Sequence, residues 1–77
     1  MENSSKDTIN VAQFGVGYWG PNLLRNLTAN PQLMLKAVAD LEEGRREFVE
    51  TNYPTVTVES NPESIIENSD VDAVIIA

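Results

Sequence analysis

The chain of 77 residues contains no cysteine and no histidine. Without thiols there is no disulfide, no cysteine nucleophile and no thiolate metal centre, and the composition is compatible with a reducing compartment such as the cytoplasm. Without imidazole, the commonest general base and the usual zinc constellations are missing too. Cations are also scarce: five Lys and Arg stand against twelve Asp and Glu, for a net charge of −7. Nucleic acid and anionic membrane surfaces are held by clustered Lys and Arg, so neither is an expected partner. No run approaches the roughly 20 apolar residues of a membrane span. Residues 1–8 (MENSSKDT) are polar and read as a loose tail rather than a signal segment.

What is present has the balance of a folded α/β unit, with 42% hydrophobic and 22% charged residues. Residues 9–14 (INVAQF) predict a first strand, followed by a glycine-rich turn. Pro21 suits a first helical turn, where its missing N–H is not needed. Leu23, Leu24 and Leu27 then recur at helical spacing as core contacts. Asn30-Pro31 ends this helix, because the residue before a proline avoids α geometry. Residues 33–39 (LMLKAVA) predict a second strand ending at Asp40.

Residues 42–52 predict a second helix, with Leu41 and Phe48 on one face and Glu42 able to pair with Arg45 or Arg46. Gly44 weakens this helix unless close packing requires it. Tyr53-Pro54 breaks it, and residues 55–58 (TVTV) predict a third strand. Asn61-Pro62-Glu63 combines a capping side chain, a proline and an acid at a helix start, with Ile65 and Ile66 as core contacts. Residues 71–77 (VDAVIIA) form a nearly continuous β-branched run, as in strands buried on both faces. The order β-α-β-α-β-α-β with short connections predicts a parallel Rossmann-type sheet with right-handed crossovers and strand order 3-2-1-4. A run of that kind at the end of the chain suggests the front part of a longer protein, truncated within its sheet.

The first turn carries the chemistry. Gly15-Val16-Gly17-Tyr18-Trp19-Gly20 matches G-x-G-x-x-G between a strand and a helix, the context that gives the pattern meaning. Gly15 permits a tight reversal, Gly17 lets a pyrophosphate approach bare backbone, and Gly20 lets the helix pack against the sheet. N–H groups at the helix start, including those of Tyr18 and Trp19, would receive phosphate oxygens. Asp40 lies twenty residues beyond Gly20, where an acid accepts hydrogen bonds from the adenosine ribose and repels a 2′-phosphate. NAD is therefore expected in preference to NADP, a preference that the nearby Arg45 and Arg46 weaken.

Plainer readings exist for each feature. The glycines could form a turn that binds nothing, Asp40 could cap the second helix in a box with Glu43, and Tyr18 and Trp19 could merely cover the loop. Arg45 and Arg46 read as a solvated helix face. Competing nucleotide motifs fit less well. A phosphate-loop NTPase needs Gly-Lys-Ser/Thr where this chain has Gly20-Pro21-Asn22. A methyltransferase turn would place glycine where Trp19 stands, and a flavoprotein would favour glutamate at position 40.

At these residues the chain resembles the glucose-fructose oxidoreductase, inositol dehydrogenase and rhizopine-catabolism (Gfo/Idh/MocA) superfamily. The likeness lies in VAQFGVGYWGPNLLRNL (residues 11–27), AVAD (37–40) and SDVDAVIIA (69–77), and the GYWGPN wording is similar to the branch acting on nucleotide sugars. The resemblance implies a two-domain NAD(P)-dependent oxidoreductase acting on a sugar, nucleotide sugar or polyol. Residues 9–77 would begin its dinucleotide-binding domain, with the substrate domain outside this chain. Carried over by motif, Gly15, Gly17, Tyr18, Trp19 and Gly20 would hold the pyrophosphate and Asp40 the ribose. The Thr-Pro pair after strand four and the Glu-Lys-Pro motif of relatives do not occur here, so no residue is assigned to the chemical step. Such a piece should bind the ADP half of NAD without catalysing hydride transfer, and should self-associate through the strand at 71–77. The alternative from another class is a non-catalytic dinucleotide-sensing module.

Overall fold

The computed structural model describes residues 8–67 and 70–77; most of the predicted tail lies outside them. Seven elements follow one another: β1 (Ile9–Phe14), α1 (Gly20–Ala29), β2 (Leu33–Ala39), α2 (Glu43–Asn52), β3 (Thr57–Glu59), α3 (Pro62–Ile66) and β4 (Ala73–Ile76). The four strands form one parallel sheet in the order β3-β2-β1-β4, as the sequence predicts. A chain that alternates strand and helix over such short links has few other ways to bury both element types.

The helices divide between the two faces. On one, Leu24 and Leu27 of α1 and Val49 of α2 close on Val11, Leu35 and Val38. On the other, Ile65 of α3 meets Ala12, Ala37 and Ala39. The small side chains on that second face allow a five-residue helix to approach the sheet. Leu24 is fully buried, so truncating it to alanine would cost about 2–5 kcal/mol.

A register shift decides where β2 delivers its last residue. Val11 is paired with Leu35, but Ala12 is paired with Ala37, leaving Lys36 without a partner on β1. This bulge reverses which side chains face which layer. Leu33 and Leu35 belong to the first cluster before it, and Val38 after it, while Ala37 and Ala39 join the second. Because side chains alternate at every residue, the extra position resets both the height and the face of everything downstream, Asp40 included.

Several local expectations require correction. Leu41 and Phe48 do not form the buried face of α2: Leu41 is 83% exposed and Phe48 39%, and Val49 takes the core position. Leu41 precedes the helix, so its seven-residue spacing from Phe48 carries no helical phase. Ile66 is 64% exposed, leaving Ile65 as the single core contact of α3. Leu23 is only half-buried beside the buried Leu24. The third strand begins two residues later than its β-branched run, because Val56 N–H bonds the carbonyl of Tyr53 in the turn after α2. The capping of α3 is as expected: Asn61 Oδ1 accepts from the N–H of Glu63 at 2.9 Å, with Pro62 in the first turn.

Candidate functional site

The candidate site lies at the carboxyl ends of the strands, where a doubly wound sheet opens a crevice between its helices. A hollow of about 290 Å³ there is lined by Phe14, Gly15, Ala39, Asp40, Leu41, Glu42, Arg45, Ser60 and Pro62. A larger hollow of about 470 Å³ sits at the opposite rim, between the ends of α1 and α2. It contains neither the glycine turn nor a charged side chain, so size does not mark the site.

Each glycine of the turn meets a different constraint. Gly15 has a φ of +95°, in the left-handed region that a Cβ disfavours, and a Cβ there would approach the carbonyl oxygen of Ala77 to 3.1 Å. Its own N–H donates to the carbonyl of Ala39 at 2.7 Å. At Gly20 a Cβ would press on Val16 and on the amide of Gln13 at 3.2–3.4 Å, so bareness here serves helix–sheet packing. At Gly17 the space is open, the one neighbour within 4 Å being the Arg45 Nη1 at 3.8 Å. The bend at Gly15 and the packing contact at Gly20 are those the motif predicts, and Gly17 presents open backbone.

Helix α1 starts without help from side chains. Trp19 occupies the N-cap but makes no side-chain capping bond, no acid stands in the first turn, and Pro21 contributes no N–H. Gly20 N–H is taken by the carbonyl of Gly17 and Val16 N–H by Asp40. Among the described residues, the N–H groups of Gly17, Tyr18 and Trp19 have no acceptor. Tyr18 and Trp19 stand in solvent, 87% and 65% exposed, with their rings edge to face at 5.0 Å. They therefore leave the backbone of the turn accessible.

Asp40 is 8% exposed and joins the turn to the end of β2. Its Oδ2 accepts the N–H of Val16 at 2.7 Å, and its Oδ1 accepts the N–H of Glu42 at 2.9 Å. It does not cap α2 with Glu43: the N-cap is Glu42, which also makes no side-chain capping bond. A carboxylate has about four lone-pair directions, so two backbone bonds leave acceptor capacity on the crevice side.

The paired arginines are more than a solvated face. Arg46 Nη1 donates to the carbonyls of Asp40 and Leu41 at 2.9 Å each, bracing the β2–α2 turn. Arg45 lies 3.5 Å from Glu42 and 3.9 Å from Asp40 Oδ2, beside Gly17, and so places a half-exposed cation next to the glycine turn. Sequence reasoning also passed over Gln13. It is fully buried, and its Nε2 donates to the carbonyls of Gly15 and Gly20. The available signal was a polar residue between Ala12 and Phe14, two positions before the glycine turn.

Comparison with known proteins places this geometry. Residues 9–77 match the family described as an oxidoreductase family with an NAD-binding Rossmann fold. No curated protein sequence matches at a significant level. Among solved structures, a Klebsiella pneumoniae protein assigned as an oxidoreductase is 38% identical, with a TM-score of 0.76 over 92% of this chain and 20% of its own. GenD2 of gentamicin A biosynthesis, solved with NAD, is 25% identical with a TM-score of 0.83, over 92% of this chain and 20% of its own. KijD10, a 3-ketoreductase from Actinomadura kijaniata solved with TDP-benzene and NADP, is 27% identical with a TM-score of 0.75, over 90% of this chain and 22% of its own. The chain thus spans about a fifth of the length of each. Among the described residues no helix is long and apolar enough to cross a membrane.

Proposed function

The chain belongs to the oxidoreductase family with an NAD-binding Rossmann fold, and from that premise we propose that it holds the ADP half of NAD across the β1–α1 turn. Gly15 shapes the turn and Gly17 admits the pyrophosphate. The N–H groups of Gly17, Tyr18 and Trp19 receive its oxygens at the positive end of α1, which Gly20 seats on the sheet. Asp40 accepts from the adenosine ribose hydroxyls. The observation that carries this reading is the pairing of unpartnered N–H groups on a bare turn with a carboxylate lining the adjoining crevice. A chain of charge −7 thereby meets a dianion with backbone dipoles.

The same carboxylate would stand against a 2′-phosphate, which favours NAD over NADP. Arg45 opposes that preference, since its guanidinium is 3.9 Å from Asp40 Oδ2. In the whole protein the substrate would be a sugar, nucleotide sugar or polyol, a class supported by the place of GenD2 in gentamicin A biosynthesis and the 3-ketoreductase activity of KijD10. The chain by itself holds half a dinucleotide site and no assigned proton donor, so hydride transfer needs residues outside it. The outer edge of β4, where Val74 and Ile76 are exposed, offers unpaired backbone to a second copy of the chain. A reducing compartment, the cytoplasm, fits a sequence free of cysteine.

Calorimetric titration tests the cofactor reading. NAD and ADP-ribose should bind with similar affinity and NADP more weakly, and Asp40→Asn should narrow the gap between NAD and NADP. Absence of binding, or tighter binding of NADP by the unaltered chain, would overturn it. Nicotinamide absorbance with sugar substrates should show no turnover by the chain alone. Light scattering at rising concentration should show association, and a persistent monomer would remove the β4 edge from the account.

A further inference from the structure

Gln13 is the fully buried side chain beneath the turn whose presence packing does not explain. It lies on β1, one of the two inner strands, facing the layer that contains α1, where an apolar residue is the ordinary occupant. Its Oε1 has no hydrogen-bond partner among the described residues. A buried acceptor without a donor weakens a fold, so its retention calls for a gain elsewhere. The orientation of the amide is dictated by its neighbours. Both groups facing Nε2 are backbone carbonyls, which only accept, and Nε2 donates to Gly15 at 2.9 Å and Gly20 at 3.2 Å.

Those two carbonyls are the first and last of the G-x-G-x-x-G turn, so one side-chain amide ties its ends together from beneath. The other ties are Gly15 N–H to Ala39, Val16 N–H to Asp40 and Gly20 N–H to the carbonyl of Gly17. Together they take up three of the turn's backbone N–H groups and leave those of Gly17, Tyr18 and Trp19 without an acceptor among the described residues. We infer that Gln13 is a positioning residue for diphosphate binding. It fixes the span of the turn in advance, so that the free N–H groups are ordered before the ligand arrives and less freedom is lost on binding. The inference rests on the proposed reading of the turn as a diphosphate site.

The test follows the chain by NMR during titration with ADP-ribose and with adenosine, which shares the ribose but carries no phosphate. In Gln13→Met, which keeps the length of the side chain and removes the donor, the Kd for ADP-ribose should rise about tenfold. The Kd for adenosine should stay unchanged. The urea midpoint should shift little, because the orphan Oε1 disappears while the carbonyl of Gly15 loses its donor, two changes of opposite sign. Unchanged affinity for ADP-ribose, or equal loss for both ligands, would overturn the positioning role while leaving the functional reading intact. Failure of the unaltered chain to bind either ligand would instead bring down the functional reading and this inference with it. Should Gln13→Met fail to fold, exchange of the Gln13 side-chain amide protons in the unaltered chain decides. Exchange should be slow and be slowed further by ADP-ribose but not by adenosine, and exchange insensitive to ADP-ribose overturns the inference.

Discussion

Helices α1 and α3 open in opposite ways. The short helix α3 has every local device: Asn61 caps Glu63, Pro62 fills the first turn and Glu63 puts a carboxylate on the positive end. The longer helix α1 has the proline alone, with an uncapping Trp19 before it and no acid in its first turn. Each device that α1 lacks would place a side-chain oxygen where a phosphate oxygen is proposed to sit. The difference separates a helix start capped from within from one preceded by N–H groups that have no acceptor among the described residues, the arrangement the proposed phosphate site requires. Position agrees with that division, since α1 follows the glycine turn to which Asp40 is bonded at Val16, whereas α3 closes a face of small alanines.

The contrast breaks most completely at Gly15. Gly15→Ala introduces a Cβ at a φ of +95° and within 3.1 Å of the Ala77 carbonyl. The turn must then rearrange or the end of β4 must move, at a cost of about 1–3 kcal/mol in urea unfolding. ADP-ribose binding should be lost together with the stability. Retention of both would show that the turn does not depend on this bend.

The next test exchanges the two helix starts. Trp19→Asp sets a carboxylate at the amino end of α1, in competition with the proposed dianion. The affinity for ADP-ribose should fall about five- to tenfold, and more at low salt. The mirror change, Asn61→Ala, removes the cap of α3 and should cost about 1 kcal/mol of stability in urea with no change in affinity. Equal binding by Trp19→Asp and the unaltered chain would mean that α1 does not serve the phosphate. A loss of affinity in Asn61→Ala would mean that the two helix starts are coupled through the sheet.

What the sequence makes legible follows from the range of the forces involved. Element order, the caps of α3 and the glycine turn are local, and residues a few positions apart display them. Asp40 is legible because the motif fixes its distance from Gly20. The bulge at Lys36 is not, because it exists only as a mismatch between β1 and β2, yet it determines the face on which Asp40 emerges. Val49 rather than Phe48 reaches the core because the phase of α2 is set by the sheet beneath it, which a count from Leu41 does not register. The ties from Gln13 to the turn, and from Arg46 to the carbonyls of Asp40 and Leu41, are side-chain-to-backbone bonds across chain reversals. Nothing in spacing alone announces them.

The smallest expected effect sharpens what bareness means in this chain. Gly44 stands near the start of α2, and a Cβ there would meet nothing within 4 Å. Unlike Gly15 it has no left-handed φ to protect, and unlike Gly20 it has no neighbour to admit. Gly44→Ala should therefore stabilise the chain by about 0.5 kcal/mol, through the narrower set of conformations open to the unfolded chain. ADP-ribose affinity should be unchanged, since the braces from Arg46 to the carbonyls of Asp40 and Leu41 do not involve position 44. A gain in urea midpoint at Gly44 with losses at Gly15 would establish that glycine is retained in the turn for geometry. A loss at Gly44 would show instead that the backbone of α2 at this position needs a conformation or a contact that a Cβ disturbs.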